Sequence, residues 1–321
     1  MRLRLASALA AVMLAAPIAA TPRPDAKLAL LQQRDARLFA IGWRLASANA
    51  GFCEGAAPAL GLAVLDVGGF RKSARIRQQL GLAGDIGIGA VAPGSPAAAA
   101  GISANDTLLA IAGEAIAVRF PLAKPTWQRL IDVTAALDAV ATRGPVTLTL
   151  ARGKAPPRTL TLDPVPACPS RFEVLSSGGK AMAEGTRVIF GRDFVGFDYP
   201  DELFAAAVAH EFAHNLLGHR KRLDASGRSL GNQRLSEREA DRLMPWLLAN
   251  AGYDPAAAIR FMARWGPRHD GGLFRNRDHE GWDERADAIR AEVGKVEAAL
   301  TRDGHADWST HFVREAFGQA S

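Results

Sequence analysis

Within HEFAHNLLGH, residues 210–219, lie three of the chain's seven histidines, with a glutamate directly after the first. On a helix His210 and His214 are one turn apart and differ by only about 40° in azimuth, so both imidazoles can face one ion. Neutral imidazole nitrogens are zinc ligands, and a catalytic zinc takes three protein ligands and leaves a fourth position open. Glu211, beside the first ligand, is placed to act as general base toward water whose pKa the metal lowers. HExxH alone is a short pattern, and a surface helix with two unrelated histidines also satisfies it.

A third ligand must come from elsewhere. His219 follows His214 by five residues rather than six and, on a continuing helix, would lie about 140° round from it and point away. Metzincin spacing, which also needs a glycine three residues after the second histidine, is not met by Gly218. LSEREADRLM, residues 235–244, offers the alternative. Glu237 and Asp241 are four apart, hence on one helix face. Glu237 can complete a His-His-Glu set, and Asp241 can accept the other ring N–H of a ligand histidine. Leu235, Ala240, Leu243 and Leu247 interleave with them and turn that face inward; the competing reading is a solvated acidic face.

These side chains need helices to hold them. Residues 200–221 form one helical pattern, started by Pro200 and Asp201, with Asp201 and Glu202 favourable to the helix dipole. Further helical patterns cover about 234–250, 254–264 and 283–300, and residues 25–48 make an amphipathic helix ended by Ala50-Gly51. Between 57 and 165 the pattern changes to short strand-like runs punctuated by Gly and Pro: GLAVLDV, IGIGAVA, DTLLAIAG, VTLTLAR and RTLTLDPV. One helical segment, TWQRLIDVTAALDAVATRG, interrupts them.

Within that middle part, VAPGSPAAAAGISANDTLLAIAGEAI, residues 91–116, resembles the PDZ domains attached to bacterial proteases. Pro96 suits the first turn of the short helix and Gly101 its end. The resemblance departs at Asn105-Asp106, where Gly-Asp is usual; Asn tolerates the same left-handed turn. It implies capture of peptide termini by strand addition at a sheet edge, with Ile86-Gly87-Ile88 as the candidate edge.

Composition bounds the rest. Of 321 residues, 48% are hydrophobic, which fits a packed globular protein of about two domains. MRLRLASALAAVMLAAPIAA reads as a secretory signal peptide cleaved after about Ala20. Without Arg2 and Arg4 the charge excess is +4, too small to point to nucleic acid, and no membrane span is expected in the mature chain. The only two cysteines, Cys53 and Cys168, suggest one disulfide in an exported protein. They bracket the PDZ-like unit, which makes it an insertion.

DELFAAAVAHEFAHNLLGH together with EREAD resembles the gluzincin metallopeptidase family that includes the CAAX prenyl endopeptidases, HtpX-type proteases and periplasmic BepA-like proteases. A third element, DHEGWDERADAI at residues 278–289, is similar to that family's His-Pro…Glu-Arg segment, with Glu280 in place of the usual proline. The resemblance implies one Zn2+ per chain held by His210, His214 and Glu237. It further implies His279 at the substrate carbonyl and Arg285 in support. It also implies a substrate-binding strand, for which residues 184–197 are either the edge strand or a buried core strand.

The expected fold is therefore α+β: a mostly helical zincin-type domain with a small edge sheet, plus an inserted β-rich PDZ-like domain. Expected boundaries are 1–20 for the signal, 21–56 for an N-terminal helix packed on the catalytic domain, 57–166 for the PDZ-like unit and 167–321 for the metallopeptidase domain. The expected function is an exported, periplasmic zinc metalloendopeptidase acting on unfolded or mislocalised envelope polypeptides. The competing readings are another zinc hydrolase and a peptide-binding or chaperone module with a structural or inactive zinc site.

Overall fold

The computed structural model describes residues 25–123, 127–269 and 281–318. The signal-like segment and His279 lie outside the described residues. The chain is α+β and opens with α1 (Ala26–Ala48), capped by the Asp25 side chain accepting from the Leu28 amide at 2.9 Å. A strand-rich unit follows: β1 (Ala57–Ala59), β2 (Leu62–Asp66), α2 (Ser73–Leu80), β3 (Ile86–Val91), α3 (Pro96–Ala99), β4 (Thr107–Ile111) and β5 (Glu114–Ala115). It continues through α4 (Ile116–Arg119), α5 (Gln128–Ala141), β6 (Val146–Ala151), β7 (Arg158–Leu162) and β8 (Val165–Ala167).

Its main sheet runs β2-β3-β4-β6-β7, with β5 paired to β4. Alternating side chains from β3, β4 and β6 meet those of α5 in one core containing Ile88, Leu108, Val133, Leu137 and Leu148. The short α3 begins with Pro96 under a Ser95 cap, Gly101 has φ 71°, and Asn105 has φ 68°, so Asn occupies the left-handed turn. The expected peptide edge is corrected. Ile86-Gly87-Ile88 lies in β3, flanked on both sides by β2 and β4, and its backbone groups are already used. The open edges of this sheet are β2 and β7, and α5 packs beside β2.

The unit is tied off at its stem. β1 and β8 pair antiparallel from Ala57↔Ala167 to Ala59↔Val165, and Cys53 is disulfide-bonded to Cys168 immediately outside that pair. The Cys168 amide also donates to the Ala46 carbonyl of α1 at 3.0 Å.

The remainder comprises β9 (Arg171–Leu175), β10 (Ala181–Ala183), β11 (Arg187–Gly191), α6 (Asp201–Leu216), α7 (His219–Ser226), α8 (Leu230–Asn250), α9 (Ala257–His269), α10 (Trp282–Asp303) and α11 (Trp308–His311). A second core joins α1, α6, α8, α9 and α10 to the inner face of the three-stranded sheet. At its centre Phe190 stands edge-on to Phe194 at 4.9 Å and to Phe204 at 5.5 Å. The sheet order is β10-β11-β9. Of the expected segment 184–197, only residues 187–191 form a strand, and that strand, β11, is the buried middle one, the buried alternative of the two; the sheet's edges are β10 and β9. Among the described residues no helix is long and apolar enough to cross a membrane.

Candidate metal centre

Helix α6 carries Ala205 to Ala209, Phe212 and Ala213 buried, and its alanines let α8 approach closely. The approach sets Glu237 opposite the two histidines of α6. Nε2 of His210 and Nε2 of His214 are 3.2 Å apart. Each is 3.4 Å from an oxygen of Glu237. The two contacts run to different oxygens of Glu237, Oε2 from His210 and Oε1 from His214. One ligand atom from each residue lies within 4.8 Å of the others, on the scale of the roughly 3.3 Å that separates neighbouring ligand atoms in a tetrahedron with zinc–nitrogen bonds of about 2.0–2.1 Å. His210, His214 and Glu237 are the one group of side chains among the described residues that could hold a metal ion. Their side chains keep 13%, 15% and 24% exposure, which leaves one face of the cluster open to a cleft.

Asp241 and Arg285 stand behind His210. Oδ1 of Asp241 is 3.0 Å from Nδ1 of His210, off the direct line of the ring N–H. Arg285 donates to both Asp241 oxygens, from Nε at 2.6 Å and from Nη2 at 2.9 Å. Helix α10 is held in position for this by Glu292, which accepts from Trp246 Nε1 at 3.0 Å and Arg242 Nε at 2.9 Å, both on α8.

The electrostatics follow from burial and these partners. Burial favours neutral His210, but Asp241 and Glu237 outweigh it and raise its pKa to about 10. Burial, reinforced by His210, lowers His214 to about 3 despite Glu237. The two facing nitrogens, 3.2 Å apart, are within hydrogen-bond distance of each other, and metal binding at such a pair competes with protons. Burial and the neighbouring Glu237 push Glu211 up to about 7, against the pull of His210. Glu211 faces the cleft beside the cluster, and a carboxyl near neutrality there can both accept and return a proton.

The cleft holds ≈ 1150 Å³. One wall is β10 and the glycines around it, Gly179 and Gly185; Trp265 and Trp282 line the far side. Among the described residues strand β10 pairs only with β11, so its other edge is open toward α6. Asn215, the residue after His214, fixes this edge: its Oδ1 accepts from the Gly185 amide at 2.7 Å and its Nδ2 donates to Ser170 Oγ at 2.9 Å.

His219 does not point away. Helix α6 stops at Leu216, Gly218 takes φ 63°, and α7 starts in a new direction, so the continuing-helix angle does not apply. His219 is 2% exposed, and its Nδ1 lies 2.8 Å from Nδ1 of His214. It is outside the ligand group but touches a member of it. Its partner Glu239, in the same EREAD segment, was masked by the four-residue spacing of Glu237 and Asp241. The signal for both was present as a glycine immediately before a histidine and an extra acidic residue on an otherwise inward face.

Against family models, residues 87–152 match a PDZ domain. No curated protein and no solved structure matches the chain.

Proposed function

We propose that the chain is a zinc-dependent metalloendopeptidase, exported to the periplasm, whose PDZ domain recruits polypeptide substrates. The observation that carries this reading is the convergence of His210, His214 and the Glu237 carboxylate, with contacts of 3.2–3.4 Å and with Glu211 beside them lining an open cleft. When bound, zinc supplies Lewis acidity toward water and the scissile carbonyl. Glu211 takes the proton from the attacking water and returns it to the leaving amine, a role suited to a carboxyl near neutrality. The open edge of β10 holds an extended peptide by backbone hydrogen bonds, which makes binding largely independent of sequence. His279 is assigned by resemblance to the substrate oxyanion. The Cys53–Cys168 bond supports an oxidising compartment, and a terminus-binding module suits unfolded or mislocalised envelope proteins.

A second reading, a peptide-binding or chaperone module with a silent metal site, is favoured by the PDZ match. Cleavage of an unfolded protein substrate by the purified full chain, with and without chelator and beside Glu211→Gln, separates the two. The peptidase reading expects chelator-sensitive cleavage that falls by at least about 10²-fold in the variant. Equal cleavage by wild type and variant removes the mechanism; metal uptake and peptide binding without cleavage by either establishes the binding module.

A further inference from the structure

The two ligand histidines are held differently. His210 has a carboxylate oxygen of Asp241 3.0 Å from its Nδ1. Behind His214 stands a longer chain that ends in the segment after α11. We propose that His219, Glu239 and residues 314–317 form a clasp that positions His214 for metal. This inference rests on the reading of His210, His214 and Glu237 as a metal site.

Nε2 of His214 faces the cluster, so Nδ1 is the nitrogen left over. A ligating Nε2 is deprotonated, which puts the ring proton on Nδ1, and Nδ1 donates it to Nδ1 of His219 across 2.8 Å. His219 then carries its own proton on Nε2 and donates to Oε2 of Glu239, also at 2.8 Å. With both rings neutral this tautomer pair satisfies both contacts, and it leaves the lone pair of His214 Nε2 directed at the cluster.

Glu239 is fully buried and is itself fixed from the other side. Oε2 also accepts from Arg222 Nη1 at 2.5 Å, and Oε1 accepts from Arg314 Nε at 2.8 Å and from the Glu315 amide at 2.7 Å. Arg314 reaches further, donating to the Leu217 carbonyl at the end of α6 at 2.7 Å. Phe317 lies under the Arg222 guanidinium at 3.9 Å, and its ring is 6.2 Å from that of His219. Asn232 and Gly318 exchange two hydrogen bonds at 2.9 and 3.0 Å. A segment with no helix or strand of its own is thus fastened at four residues, and its innermost contacts converge on the carboxylate behind His219. A metal that prefers the clasped His214 must in turn favour the docked segment, because the coupling is reciprocal.

The test is zinc affinity of the full chain by chelator competition, with cobalt absorption as a report of ligand geometry. Thermal unfolding of the metal-free protein and limited proteolysis at residues 312–318 accompany it. Loss of an outer hydrogen-bond partner typically costs 10- to 100-fold in metal affinity. We expect about that loss for His219→Phe, partial recovery for His219→Gln, which keeps a donor and an acceptor, and a similar loss for Arg314→Ala with Phe317→Ala. Zinc should slow proteolysis of the segment in the wild type and not in His219→Phe. Should His219→Phe fail to fold, the Arg314/Phe317 pair decides, since it lies at the surface end of the clasp. Wild-type affinity in that pair, with the segment released, overturns the clasp while leaving the metal site intact. Absence of metal binding by the wild type overturns the metal-site reading and the clasp with it.

Discussion

Arg285 on α10 donates two hydrogen bonds to Asp241 on α8, at 2.6 and 2.9 Å, in a position where both side chains are almost fully buried. The pair links the last long helix to the back of His210, and its charges balance only together. Removing one partner of a buried ion pair leaves the other charge unpaired and costs about 3–5 kcal/mol. Arg285→Ala should therefore destabilise the fold by about that amount in urea unfolding and weaken metal binding more than 10-fold. Arg285→Lys retains the charge but not the two-pronged geometry, so it should recover part of the stability and less of the metal affinity. Equal affinities in Arg285→Ala and wild type would remove Arg285 from any role in orienting His210 through Asp241.

Gly42, in the middle of α1, reverses the usual preference of a helix for alanine. A Cβ there would lie 2.2–2.4 Å from the Phe172 ring on β9. Helix propensity favours Gly→Ala by about 1 kcal/mol, whereas overpacking a filled core costs about 1–3 kcal/mol or more. Phe172 is itself packed edge-on to Phe212 at 5.5 Å, on the helix of the candidate metal ligands, so the ring cannot simply turn aside. Gly42→Ala is expected to lower the unfolding midpoint, and a raised midpoint would show that α1 and β9 can separate without loss.

How far the sequence reveals these relationships depends on their range. Helix α6 and the strand alternation between 57 and 165 are legible because periodicity is local: Leu130, Val133 and Leu137 recur at helical spacing whatever they pack against. Helix α2 is not, since SARIRQQL is short and polar on most faces and is ordered by Leu80 and Leu82 packing with Val67. Strand order is beyond periodicity altogether. Ile86-Gly87-Ile88 reads as a candidate edge yet is an interior strand, and for residues 184–197 the sequence leaves edge and buried strand open where the fold takes the buried one, because pairing is decided by partners far along the chain. His210, His214 and Glu237 could be grouped from their spacing within two helices, whereas the contact of His219 with His214 needed the break at Gly218. Arg314, 75 residues beyond Glu239, carries no sequence signal of its contact.

The Cys53–Cys168 bond closes a loop of 115 residues around the whole strand-rich unit. The β1–β8 pair already closes the same loop in the folded state, so the covalent bond acts mainly on the unfolded chain. The chain-entropy relation gives about 4–5 kcal/mol for a loop of this length, and native disulfides typically contribute 2–5 kcal/mol. Cys53→Ala with Cys168→Ala, or reduction, should lower unfolding free energy by about that range while the folded spectrum is retained. Two alkyl groups added to the denatured protein without reductant would mean that the bond does not form.

Asp35, on α1, gives a stability change with pH that is independent of the metal centre. Burial, helped by the nearby Glu173, raises its pKa to about 6, although the Val174 amide donates to its Oδ1 at 3.0 Å and pulls the other way. Between the ordinary carboxylate range and about pH 6 the folded protein keeps a proton that the unfolded chain has released, so stability falls as pH rises through that window. Below the window both states are protonated and above it both are ionised, which leaves a constant penalty at neutral pH. At 1.36 kcal/mol per pKa unit the penalty is at most about 3 kcal/mol, and residual solvent contact reduces it. Asp35→Asn keeps the acceptor for Val174 and removes the charge. Its stability should match the wild type near pH 4 and exceed it by about 1–3 kcal/mol at pH 7, measured by urea unfolding at both. A difference that does not change between the two pH values would place the cost of Asp35 in packing or hydrogen bonding rather than in charge.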